Sequence, residues 1–260
     1  MIQSDAALTG QNAGRRRPAL VIAADVPDGE QALALAHVLS GLPLWFKVGL
    51  ELFCAAGREP VRALIRMGIP LFLDLKFHDI PNTVERAVHA AALLGASMLT
   101  VHTAGGEAMC RAAVRGRRLF IEQRDADGAL RRKWPRPVSE SAPLLMGVTV
   151  LTSEKGDAGA IRAEVTKRAR LARDCGLDGV VCSGHEAEAV KTACGPEFLC
   201  LCPGIRFADG RDADDQARVL DPRAAVAQGA DFLVMGRPVT RAQDPRAAAM
   251  RALSEMYATR

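Results

Sequence analysis

Residues 70–95 read "PLFLDLKFHDIPNTVERAVHAAALLG". The first seven have the apolar density of a buried strand. From Asn82 to Leu94 apolar residues recur at helical spacing, and Gly95 supplies the left-handed position that closes helices. A strand, a short polar loop and a helix form the repeating unit of a parallel α/β fold. The anomaly is charge. Asp74, Lys76 and Asp79 end an otherwise apolar strand, and desolvating charges is expensive unless they are paired.

The same unit recurs along the chain. Strand-like runs are "ALVIAAD" (19–25), "LWFKV" (44–48), "PLFLDLK" (70–76), "SMLTVH" (97–102), "PLLMGVTV" (143–150), "DGVVCS" (178–183), "EFLCLCP" (197–203) and "DFLVMG" (231–236). Between them lie Ala-rich stretches of helical period, among them 28–39, 50–67, 82–94, 160–175 and 222–228. Gly41, Gly68, Gly95, Gly176 and Gly229 stand where caps are expected. Eight strand–helix units predict a (β/α)8 TIM barrel, a fold of about 250 residues. A doubly wound open sheet is the alternative, but no G-x-G-x-x-G follows the first strand and no Walker sequence occurs. The expected organisation is a disordered tail over 1–17 and one barrel domain over 18–260. Residues 116–142, with Gly128, Pro135 and Pro137, read as a loop-like surface insertion on the face away from the catalytic end.

Bulk properties narrow the class. The chain has 260 residues, 49% hydrophobic and 25% charged, ordinary for a soluble globular protein. Net charge is +4, and only six of the 34 basic residues are lysines. The densest basic cluster, Arg115 to Arg118 and "RRKWPR" (131–136), is interrupted by acids at 122, 125 and 127, so it reads as solvated surface rather than a nucleic-acid face. Seven cysteines without a C-x-x-C spacing read as reduced thiols of a cytoplasmic protein. Cys200 and Cys202 share one strand face. No run reaches membrane-spanning length, and the tail lacks the apolar core of a secretory signal.

Barrel active sites lie at the carboxyl ends of the strands, where this sequence puts its unusual charges. Asp25 ends strand one, Lys47 lies near the end of strand two, and Asp74 and Lys76 end strand three. Alternation aims that last pair at the mouth and Leu71, Leu73 and Leu75 at the helices. Asp79 follows in the loop, and Asn82 is expected to cap the next helix. A lone strand-end Asp is usually a turn residue, and an isolated Asp–Lys pair contributes little. Convergence of five charges on one rim argues otherwise, because neighbouring carboxylates favour the ammonium form of each lysine. Across the mouth, "CPGIR" (202–206) and "MGRPVT" (235–240) occupy the loops that grip phosphate in such barrels, with Arg206, Gly236 and Arg237 as candidates. The polar stretch "FADGRDADDQARVL" (207–220) reads as a mobile lid carrying Gln216. His78 and His102 lie near the rim without metal-ligand spacing and read as structural.

With "FKVG" (46–49), "DLKFHDIPNT" (74–83), "VTVLTS" (148–153), "PGIR" (203–206) and "GRPVT" (236–240) in this order, the chain from Pro18 to about Tyr257 resembles the orotidine 5′-phosphate decarboxylases. The resemblance implies conversion of orotidine 5′-phosphate to UMP and CO2, without cofactor or metal. It implies Lys76 as proton donor, with Asp74, Lys47 and Asp79 completing a charged network. Asp25 and Lys47 would bind ribose hydroxyls, Thr152 the pyrimidine edge, and Pro203, Arg206, Gln216, Gly236 and Arg237 the phosphate end. It also implies a homodimer in which Asp79, Ile80 and Thr83 reach the partner's site. Magnesium-dependent sugar-phosphate decarboxylases and aldolases of the same superfamily share D-x-K-x-x-D, but carry Glu where this chain has Lys47. A barrel that binds pyrimidine nucleotides without turnover is the third reading.

Overall fold

In a computed structural model, residues 17–126, 142–151, 154, 156–209 and 220–258 are described. Eight parallel strands close into a barrel in sequence order. They are β1 (Ala19–Ala23), β2 (Leu44–Gly49), β3 (Leu71–Phe77), β4 (Met98–His102), β5 (Leu144–Val148), β6 (Gly179–Val181), β7 (Leu199–Cys202) and β8 (Phe232–Met235). Closure comes from β8 pairing with β1, Phe232 to Met235 against Ala19 to Ile22. The helices are α1 (Gly29–Val38), α2 (Leu50–Ala56), α3 (Glu59–Arg66), α4 (Pro81–Leu94), α5 (Gly106–Ala126), α6 (Ala158–Cys175), α7 (Ala187–Cys194), α8 (Pro222–Ala227), α9 (Arg237–Thr240) and α10 (Pro245–Tyr257). None of the described helices is long and apolar enough to cross a membrane.

Strand alternation divides the apolar residues into two cores. Val21, Phe72, Met98, Met146, Leu199, Leu201, Phe232 and Val234 fill the barrel. Ile22, Phe46, Leu73, Leu99, Val101, Leu145, Val180 and Leu233 face the helices. Cys200 and Cys202 share that outer face, as their spacing requires. Burial pushes the Cys110 thiol up to about 12, with Cys175 adding to the effect. Such a thiol stays protonated and is inert as a nucleophile.

The bottom of the barrel is stitched by a repeated device. A polar residue just before an even strand accepts the N–H of a residue near the start of the preceding odd strand. Ser97 Oγ accepts from Leu71, at 3.4 Å. Asp178 accepts from Leu145, at 2.7 Å, and pairs with Arg117. Asp231 accepts from Cys200 at 2.7 Å and from Lys191 Nζ at 2.6 Å.

Three expectations are corrected. The loop-like reading of 116–142 fails over its first part, because α5 continues to Ala126. Met109, Ala113, Gly116 and Phe120 keep a buried stripe at helical spacing, and Gly128 and the prolines that suggested a loop all lie beyond the end of α5. Residues 127–141, and the tail up to residue 16, lie outside the described residues. The single helix expected over 50–67 is broken at Gly57, whose φ of +62° ends α2. Asn82 is no cap: Ile80 holds that position and Pro81 is the first helical residue, needing no N–H partner there.

Candidate active site

β3 is irregular where it matters. Leu73 pairs with Leu99 and Phe77 with Val101, so Asp74, Leu75 and Lys76 stand opposite Thr100 alone. This is a bulge, and Lys76 accommodates it with a φ of +48°. Among the described residues it is the one non-glycine with positive φ. Holding an L-residue there costs about 1–3 kcal/mol and persists only when surroundings enforce it. Leu75 still packs towards the helices, and Asp74 and Lys76 reach the mouth.

There the charges form an alternating chain. Lys47 Nζ donates to Asp25 Oδ1 at 2.8 Å and lies 3.8 Å from Asp74 Oδ2. Lys76 Nζ donates to the same Asp74 Oδ2 at 2.8 Å. Asp74 Oδ1 accepts from Thr100 Oγ1 at 2.9 Å. Lys47 and Asp74 are buried, with side chains 10% and 11% exposed, whereas Lys76 is 35% exposed and so accessible from the cavity. The Lys47 ammonium lies between the two carboxylates, and its charge disfavours a divalent cation there. Gly49 makes this fit possible: a Cβ there would lie 2.8 Å from Lys47 Nζ and 3.0 Å from Asp25 Oδ1.

These residues line one side of a cavity of about 540 Å³. Pro203, Arg206, Gly236 and Arg237 line it too, beside the ends of β7 and β8, giving a mouth with anionic–cationic and guanidinium walls. Phe72, Val148, Val181, Leu201 and Val234 supply apolar lining. Such a pocket suits a small molecule with an anionic end and a flat, partly apolar body.

Eight of the expected residues therefore share one cavity. Asp79, Ile80 and Thr83 do not line it: Asp79 and Ile80 are exposed on the β3–α4 turn, Ile80 by 66%, and Thr83 is exposed in the first turn of α4, while Asp79 Oδ1 accepts the N–H of Ile80 at 2.7 Å. Thr152 and Gln216 lie outside the described residues. His78 and His102 stack with ring centroids 5.1 Å apart. Burial, then His78 and Arg168, hold the His102 imidazole below its ordinary pKa. Thr100, Glu51 and Arg241 went unnoticed in the sequence. The last two line the cavity, Glu51 just after β2 and Arg241 just after α9; the place of Glu51 after a strand end and that of Arg241 beside "GRPVT" were the available signals. Thr100 carried none, since threonine is ordinary in strands.

The sequence profile of the orotidine 5′-phosphate decarboxylase / HUMPS family matches residues 18–252. The chain belongs to this family. A relative from Nitratidesulfovibrio vulgaris (strain DP4), named orotidine 5′-phosphate decarboxylase, is 49% identical over 246 residues, covering 93% of this chain and 98% of that one. One of the same name from Chromobacterium violaceum is 44% identical, with 95% of each covered. Among solved structures, the orotidine 5′-phosphate decarboxylase from Lactobacillus acidophilus superposes with a TM-score of 0.76 at 33% identity, covering 93% of this chain and all of that one. Membership of the orotidine 5′-phosphate decarboxylase / HUMPS family fits the strand order and the lysine-bearing end of β3.

Proposed function

We propose that this chain is a carboxy-lyase that converts orotidine 5′-phosphate to UMP and CO2, a step of de novo pyrimidine biosynthesis in the cytoplasm. The observation that carries the proposal is the Asp25–Lys47–Asp74–Lys76 chain facing Arg206 and Arg237 across one cavity. It is supported by the family and by the relatives' shared name.

Loss of CO2 from C6 leaves a carbanion that no ring carbonyl is placed to delocalise, so catalysis must act through fixed charge. In the proposed mechanism Lys76 stabilises the developing charge and then protonates C6. An ammonium about 4 Å from a unit negative charge contributes roughly 4 kcal/mol at an effective dielectric of 20. Enzymes lower barriers by about 8–23 kcal/mol, so Lys76 needs help. Phosphate binding by Arg206, Arg237, Gly236 and Gln216, with Pro203 shaping the site, is the proposed additional source. Asp25 and Lys47 take the ribose hydroxyls, Thr152 the pyrimidine edge, and Asp74 holds the two lysines. No cofactor or metal has a part in this scheme. The exposed Asp79, Ile80 and Thr83 are assigned to the partner's site in a homodimer.

Following loss of the orotate ultraviolet band after adding orotidine 5′-phosphate tests the proposal. Turnover that survives EDTA and disappears in Lys76→Ala is expected. Absence of turnover by the wild-type protein, or turnover that requires added metal, rejects it.

A further inference from the structure

We infer that Thr100 is a positioning residue for Lys76, holding the left-handed backbone and the Asp74 carboxylate together through one hydroxyl. The inference rests on the decarboxylase reading and adds to it a residue that does not line the cavity. Thr100 is fully buried and stands opposite the three bulged residues of β3. The bulge takes Lys76 N–H out of the regular ladder, and Thr100 Oγ1 accepts it at 2.9 Å. The same oxygen donates its proton to Asp74 Oδ1, also at 2.9 Å. A hydroxyl can do both because it carries one donor and two acceptor sites.

The ring of contacts is closed by Lys76 Nζ on Asp74 Oδ2, at 2.8 Å. The backbone and the ammonium of Lys76 are thus both referred to a single carboxylate, one through Thr100 and one directly. Without the hydroxyl, a buried N–H and a carboxylate oxygen would lose their partners, and the positive φ would lose the contact that enforces it. Because Thr100 does not line the cavity, its loss should disturb chemistry rather than binding, which is assigned to the guanidinium wall.

Thr100→Val keeps the shape and removes the hydroxyl, whereas Thr100→Ser keeps the hydroxyl. In Thr100→Val, kcat should fall by about 10- to 100-fold with KM little changed, since small misplacements of a reacting group have effects of that order. Thr100→Ser should stay close to wild type. A second readout is acetylation of Lys76 by acetic anhydride, followed by peptide mass spectrometry, relative to Lys167, which is 80% exposed on α6. Lys76 should label severalfold faster in Thr100→Val than in wild type or Thr100→Ser. Should Thr100→Val fail to fold, Thr100→Ala takes its place in both measurements. Unchanged kcat and labelling in the hydroxyl-free variant, or an equal loss in Thr100→Ser, overturns the inference. A wild-type protein that does not turn over orotidine 5′-phosphate defeats the proposed function instead, and the labelling ratio still decides the role of Thr100.

Discussion

At the scale of single residues, the site combines opposite charges with little free space. Lys47 sits between Asp25 and Asp74, so each charge is desolvated only beside a partner. Gly49→Ala would press a methyl against that cluster. Both atoms it meets are at side-chain ends, so the fold can yield but the constellation cannot keep its geometry. The variant is expected to unfold within about 3 °C of wild type, with kcat/KM lower by on the order of 100-fold; calorimetry and steady-state kinetics check this pair of outcomes. His102 gives a pH prediction. Burial, His78, Arg168 and Lys76 lower its folded pKa while Glu154 opposes them, so the unfolded chain binds the proton more readily. Its contribution is intact above the unfolded value of about 6.5 and is lost as pH falls through and below it. Urea midpoints measured from pH 8 to 5 should therefore fall less in His102→Asn than in wild type. The charges themselves were legible in the sequence, because ionic residues at the end of an apolar strand need a reason. Thr100 was not: its importance comes from a bulge in the neighbouring strand, which no local pattern encodes.

At the scale of elements, close backbone approach decides what can change. α5 packs so tightly on α4 that a Cβ at Gly116 would lie 2.2 Å from the Glu85 carbonyl oxygen. Backbone cannot swing aside as a side chain can, so Gly116→Ala is expected to destabilise by about 1–3 kcal/mol, read as a lower urea midpoint. The eight strands were legible because each apolar run has strand length and the intervening segments change period. Gly41, Gly68, Gly95, Gly176 and Gly229 all have positive φ, as their places after helical runs suggested. Two boundaries were misread for physical reasons. Gly128 and the prolines at 135 and 137 drew the last turns of α5 into a loop reading although its buried stripe runs to Phe120, and Gly57 broke a helix whose apolar pattern continues on either side of it. Asn82 was taken for a cap on residue type alone, although the neighbouring Pro81 already fixes the start.

At the scale of the whole molecule, the ion pairs that close the barrel and those that face the cavity are at opposite ends. Asp231 serves Lys191 and the Cys200 N–H together, and neither side chain of the ion pair exceeds 16% exposure. Asp231→Ala takes the acceptor from the Cys200 N–H and the counter-charge from Lys191, whose Nζ keeps only the Pro196 and Phe198 carbonyls; a loss of about 3–5 kcal/mol is expected by chemical denaturation. The barrel order was readable from the number of units; the stitching was not, since each Asp finds its partners on other strands and helices. Assembly belongs to this scale too. Under the proposed homodimer, Lys76→Ala and Asp79→Ala should each be nearly inactive, and mixing them with confirmed subunit exchange should restore turnover in one site per heterodimer. No recovery after exchange would remove Asp79 from the partner's site. The segregation of the two ends has an evolutionary corollary. Mutations that retune ligand choice around β2, β3 and β8 need not erode the foundations laid by Ser97, Asp178 and Asp231, so such a scaffold can acquire new chemistry while remaining foldable.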